Sequence, residues 1–290
     1  MPMNSPARDE LLSSGDLTFH VVQWGTAGEP VIFIHGLTAN AHCFQAFADA
    51  LANDHRVFAY DLRGRGLSAK PASGYSIPIH ATDLLNLLDT LGLERPVVAG
   101  HSLGAFIALY FATHHPDRLS KLILLDGGAP LPWSSPEEQP AWLTASISRL
   151  GLPVPSYEEY VGRLKLAPFL GPYWNDYLDL YVKHDVERFA DGSVAARASR
   201  DAIIEEGQHL AEINPAQEWP RVSVPTLLLR AGQSLFTGND QLLPTATADE
   251  MRRHIPGCQF ADFPTLNHYT IVFGQQPGPA HELRRFLAED

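Results

Sequence analysis

The chain has 290 residues, 45% of them apolar, a length and composition that suit one α/β core carrying an insertion. A formal net charge of −12 spread over scattered acids argues against nucleic acid as a partner, and two widely separated cysteines, Cys43 and Cys258, indicate neither a disulfide framework nor a zinc site. No run approaches the roughly 18 to 20 apolar residues of a membrane span, and the opening stretch to Asp16 is polar, so a cytoplasmic protein without a membrane partner is expected.

In chain order, Leu17 to Trp24 alternates as an edge strand would, and Thr26-Ala27-Gly28-Glu29-Pro30 turns into the continuous apolar run Val31 to Ile34. Continuous runs suit strands buried on both faces. Val57 to Asp61 forms another strand, and Ala81 to Leu91 carries leucines at helical spacing before a stop at Gly92. Val97 to Gly100 is apolar, His101-Ser102-Leu103-Gly104 is a turn, and a helical pattern runs on to about His114. A serine in such a strand-turn-helix is forced into a strained conformation that projects its hydroxyl from the strand end. The same turn aims the Leu103 N–H, at the positive end of the helix, at negative charge developing beside Ser102.

Lys121 to Asp126 is a further strand, and then the pattern breaks after Gly127-Gly128. From Ala129 to about Trp219 there are no apolar strand runs, many prolines and loose helical stretches; strands and helices resume at Val224 to Arg230, Ala246 to His254, Gln259 to Phe263 and Pro279 to Leu287. Strands alternating with helices give a mostly parallel, doubly wound sheet. The division expected is a core of residues 1–128 and 221–290 with 129–220 inserted as a helical cap. Four of the five tryptophans, Trp133, Trp142, Trp174 and Trp219, fall in the insertion and are read as cap core.

Four motifs in order now carry a resemblance: His35-Gly36 after a buried strand, Asp61-x-Arg63-Gly64-x-Gly66-x-Ser68 after the next, Gly100-His101-Ser102-Leu103-Gly104, and Asn267-His268 near the end. Together they are similar to the α/β-hydrolase superfamily over nearly the whole chain, least in the cap. The resemblance implies an α/β-hydrolase fold, Ser102 as nucleophile, His268 as general base, and the N–H groups of Leu103 and Leu37 as an oxyanion hole. Among thirteen histidines, position singles out His268, in the loop between the last strand and the last helix. The family commonly has glycine where this chain has Asn267, a residue that also tolerates left-handed backbone conformations. Arg63-Gly64-Arg65-Gly66 lacks the lysine of a P-loop and is read as structural.

Two acids compete for the third place. Asp240 follows the first strand after the cap, where the family usually carries its acid, although Gly232 to Asn239 looks longer than the usual link. Asp126 stands at the end of the strand Leu122 to Leu125 and is preferred, because a carboxylate that orients an imidazole must be held rigidly. A serine nucleophile points to acyl chemistry on an ester or lactone of a small to medium apolar molecule, with no cofactor and no metal. Carbon–carbon hydrolysis of a dienone or diketone acid is the alternative, with a carboxylate-binding arginine drawn from Arg149, Arg163, Arg188, Arg197 and Arg200. A hydrolase-like protein that only binds a small ligand is the alternative from another class.

Overall fold

Buried apolar runs form the centre of the sheet in the computed structural model, which describes residues 5–131, 138, 141–210, 212–235 and 240–289. The first part of the chain runs β1 (Arg8–Ser14), β2 (Leu17–Trp24), β3 (Glu29–Ile34), α1 (Gln45–Leu51), β4 (His55–Tyr60), α2 (Ile77–Leu91), β5 (Val97–His101), α3 (Leu103–His114) and β6 (Leu122–Leu125). An insertion follows with α4 (Ala141–Ser148), α5 (Tyr157–Lys165), α6 (Asp176–Asp185), β7 (Val186–Arg188), β8 (Val194–Ala196), α7 (Arg200–Leu210) and α8 (Pro215–Glu218). The chain then completes the sheet with β9 (Thr226–Ala231), α9 (Thr245–His254), β10 (Gln259–Phe263) and α10 (Gly278–Leu287).

Eight strands lie in the order β1-β2-β4-β3-β5-β6-β9-β10. Only the β1–β2 and β2–β4 pairs are antiparallel; β3 pairs parallel to both β4 and β5, and the parallel ladder continues to β10. The period-2 alternation of β3 divides its side chains between two cores. Val31 and Phe33 pack with Phe44 and Phe47 on one face, and Ile32 and Ile34 with Leu84, Leu88 and Ile107 on the other. Each such side chain removed from water is worth about 1.5–3 kcal/mol, so the central strands hold the frame that positions everything at their carboxyl ends. After β3 the chain first adds β4 on one side and later β5 on the other, and this reversal opens a crevice at the ends of β3 and β5.

Three expectations are corrected. Leu17 to Trp24 is not an edge strand, because β1 pairs along its whole length; β1 is polar and mostly exposed, so no apolar pattern marks it. The insertion holds a short antiparallel hairpin, β7 with β8, where no strand was expected. With three residues in each strand, no alternation can be read. Trp219 is not cap core: it is buried beneath the sheet's helices and its indole N–H donates to Gly128 O at 2.9 Å. Trp174 is half-buried, with its indole N–H on Asp179 at 2.7 Å; Trp133 and the Trp142 side chain lie outside the described residues. Of the cysteines, Cys43 is buried and Cys258 half-buried, and both are free thiols.

Candidate active site

Ser102 stands between β5 and α3 with φ 55° and ψ −120°, a combination that an L-residue adopts only when its surroundings over-determine it. The two flanking glycines explain how the turn closes. A Cβ on Gly100 would lie 2.0 Å from the Gly104 carbonyl oxygen, and one on Gly104 would lie 2.0 Å from that of Ile34. The serine is thereby lifted above the ends of β3 and β5.

His268 lies in the loop after β10 and faces the serine: its Nε2 is 3.0 Å from Ser102 Oγ, and its Nδ1 is 2.7 Å from Asp126 Oδ2. Asp126 caps β6 and is only 1% exposed. It has a positive φ of 46°, and its second carboxylate oxygen accepts the Ala231 N–H at 3.0 Å. The acid is thus held between two adjacent strand ends. Asp240 does not share this geometry; its carboxylate accepts the Leu235 N–H at 2.8 Å and the Ser234 hydroxyl, closing its own loop. Residues 236–239 lie outside the described residues.

Four further side chains hold this group, in contacts that the sequence did not assign to them. His101 donates from Nε2 to the His268 carbonyl at 2.8 Å. Burial pushes its pKa well below the usual imidazole value, and its Nδ1 has no hydrogen-bond partner among the described residues. His35 is likewise pushed down, to about 4, by burial. Its Nδ1 faces the Gly36 carbonyl at 2.8 Å, while Nε2 accepts the Leu62 N–H at 2.9 Å. Arg65, fully buried, donates from Nε to the Leu37 carbonyl at 3.0 Å, which fixes the peptide beside the proposed Leu37 donor. Asn267 departs from the role expected of it: it has no positive φ. Its side-chain oxygen instead accepts the N–H groups of Tyr269 and Thr270 at 3.0 and 2.9 Å, and its amide donates to Phe169 O at 2.9 Å. Asparagine is used here as a local cap that also ties the histidine loop to the insertion.

Leu37 and Leu103 line, with Ser102 and His268, a cavity of about 450 Å³ between the strand ends and the insertion. Leu103 opens α3, so its N–H is among those that have no partner within the helix. Of the five arginines considered from the sequence, Arg149 and Arg163 reach the cavity wall. Arg149 is spent on Asp185 at 3.0 Å, and Arg163 on Glu159 at 2.6 Å. Arg188 lies over the Tyr157 ring at 4.4 Å, and neither it, Arg197 nor Arg200 lines the cavity.

The family profile described as the alpha/beta hydrolase fold matches residues 29–275. The chain belongs to the α/β-hydrolase family. Among curated α/β-hydrolase relatives, it is 34% identical over 112 residues to a 2-(acetamidomethylene)succinate hydrolase of Mesorhizobium japonicum (strain LMG 29417 / CECT 9101 / MAFF 303099), which is 39% of this chain and 40% of that protein. It is 27% identical over 252 residues to the AB hydrolase superfamily protein YisY of Bacillus subtilis (strain 168), covering 83% of this chain and 85% of that one. The matches to the first seven curated relatives span only 30% to 45% of those proteins' lengths. A solved structure of an E-2-(acetamidomethylene)succinate hydrolase superposes with a TM-score of 0.83 over 98% of this chain and 100% of that one, at 22% identity. This α/β-hydrolase is therefore similar to hydrolytic enzymes in sequence and fold alike.

Proposed function

We propose that this α/β-hydrolase is a serine hydrolase that cleaves an ester or lactone of a small to medium apolar molecule through an acyl-enzyme. The observation that carries the reading is the unbroken relay from Ser102 Oγ through His268 to Asp126, at 3.0 and 2.7 Å, on the floor of the cavity. His268 takes the serine proton as Oγ attacks the carbonyl carbon. The imidazolium formed faces the buried Asp126 carboxylate, which sets the tautomer and offsets the new charge. The oxyanion is received by the N–H groups of Leu103 and Leu37, worth about 2.7–4 kcal/mol per donor in comparable sites. His268 then returns the proton to the leaving alcohol, and water, activated by the same imidazole, releases the acid.

The substrate class follows from the cavity wall. Leu131, Leu143, Phe106, Phe169, Val272 and Phe273 supply apolar surface, and the insertion acts as a cap that encloses it. Carbon–carbon cleavage of a dienone acid is disfavoured because Arg149 is paired with Asp185 and is not offered to a substrate carboxylate. A panel of soluble p-nitrophenyl esters, lactones and aromatic dienone acids tests the choice. Short acyl esters and lactones are expected to turn over fastest, and tributyrin in solution faster than an olive-oil emulsion. A dienone acid outrunning every ester would replace the reading with carbon–carbon hydrolysis.

A further inference from the structure

At the antiparallel edge of the sheet, three side chains from separate parts of the chain converge: Asp9 on β1, His20 on β2 and His42 in the 3₁₀ turn Ala41–Phe44. Nε2 of His20 and Nε2 of His42 lie 3.0 and 2.9 Å from the same Asp9 oxygen, and the three donor atoms all fall within 4.8 Å of one another. Both imidazoles are buried. Asp9 is 41% exposed and opens onto a hollow that Ser5, Gln45 and His184 help to line. None of the three lines the cavity above Ser102.

Counting hydrogens shows why these groups are set for more than one another. His20 faces Asp9 with one nitrogen and Asp61 Oδ2 with the other, at 2.8 Å, so it can satisfy both carboxylates only as a cation. His42 brings a second N–H to the same Asp9 oxygen, and its buried Nδ1 has no hydrogen-bond partner among the described residues. Two rings therefore direct protons at one carboxylate oxygen.

We propose that Asp9, His20 and His42 bind a divalent transition cation of the zinc class, with water completing its coordination from the hollow. The ion displaces the Nε2 proton of His20 to solvent, and the Nε2 proton of His42 passes to its Nδ1, so each imidazole becomes a neutral ligand bound through Nε2. His20 then keeps only its Nδ1–H, donated to Asp61, which is the carboxylate–histidine–metal arrangement that fixes a ligand's tautomer and orientation. Asp61 is held in turn by the N–H groups of Ala41 and Leu67, both at 2.8 Å. Two imidazole nitrogens with one carboxylate select zinc and its neighbours over calcium or magnesium, which favour all-oxygen sets. The ion fastens β1 to β2 and to the turn before α1, independently of the chemistry at Ser102.

Chelator-treated protein equilibrated with zinc and then dialysed should retain one equivalent per chain, measured by elemental analysis. Its thermal midpoint should rise by about 5 °C at zinc concentrations a hundredfold above the dissociation constant. Asp9→Asn keeps a hydrogen-bond acceptor but is a poor ligand, and His42→Gln removes one imidazole; each should weaken retention at least about 100-fold. The cobalt-substituted parent should show the visible bands of a nitrogen- and oxygen-ligated ion, a readout that does not depend on either variant folding. Zinc retained equally by parent and Asp9→Asn, or a cobalt-treated parent without those bands, would overturn the proposal.

Discussion

Asp126 and Asp240 are both acids near strand ends, yet their surroundings give them different work. Asp126 is buried, is clamped by Ala231 N–H and meets the imidazole; Asp240 is occupied by Ser234 and Leu235. We expect Asp126→Asn to lower kcat for a p-nitrophenyl ester by up to about four orders of magnitude, through loss of the correct histidine tautomer. Asp240→Asn should stay within about twofold of the parent, as surface-loop changes away from a site usually do. Stopped-assay kinetics on the two purified variants decide it, and a large loss in Asp240→Asn with activity kept in Asp126→Asn would reverse the assignment. At this scale the sequence was most informative where one local turn dictates the chemistry, as at Ser102. It was least informative where residues act through distant partners. Nothing local marks Arg65 as the donor to Leu37 O, or His101 as the donor to His268 O, because both contacts are made across the fold. Asn267 stands out in the sequence for the backbone freedom it permits, and the structure uses its side chain instead. Asp9, His20 and His42 likewise show no ligand spacing, since β1, β2 and the turn before α1 come together only in the folded chain.

Elements rather than residues join the insertion to the sheet. Glu206 on α7 accepts from Arg65 Nη2 at 3.2 Å and lies 2.5 Å from His80 Nε2 on α2, with all three side chains fully buried. Burial would raise the Glu206 carboxyl, but His80 and Arg65 outweigh it and hold it below the ordinary value. One helix of the insertion is thereby locked to the arginine that holds the Leu37 loop. Removing a single partner leaves an uncompensated buried charge, so Glu206→Gln should cost about 3–5 kcal/mol of stability. A urea melt monitored by circular dichroism measures it. The same variant should also lose oxyanion stabilisation, seen as a lower kcat with KM little changed. A melt unaltered from the parent would show that α7 is not fastened in this way. The long elements were legible from sequence because their burial imposes a pattern: α2 was read from its leucines and Gly92, and Gly92 does close it with φ 66°. The helix nonetheless begins earlier than expected, at Ile77, with proline in its first turn. The elements that escaped were β1, whose residues face solvent, and the β7–β8 hairpin, whose strands are too short to show a period.

For the whole molecule, the sheet order places His35-Gly36-Leu37 and Ser102 at the ends of neighbouring strands, with Asp126 on the next strand and His268 beyond the last. Such a frame brings four separated segments to one point before any substrate arrives, which is the preorganisation that acyl transfer requires. The parallel, doubly wound character was legible because the central strands are buried on both faces and therefore read as continuous apolar runs. The course of the insertion was not, because its packing depends on pairs such as Arg65 with Glu206 and Asn267 with Phe169 that no local pattern reveals. The proposed function requires Ser102 to be an activated nucleophile rather than a strained residue in a binding pocket. Incubation of the folded protein with a small fluorophosphonate, followed by intact-mass and peptide analysis, tests it directly. A single adduct is expected on Ser102, formed at least about a hundredfold more slowly in His268→Ala. Folded protein that takes up no adduct, or carries it elsewhere while Ser102 stays unmodified, would contradict it.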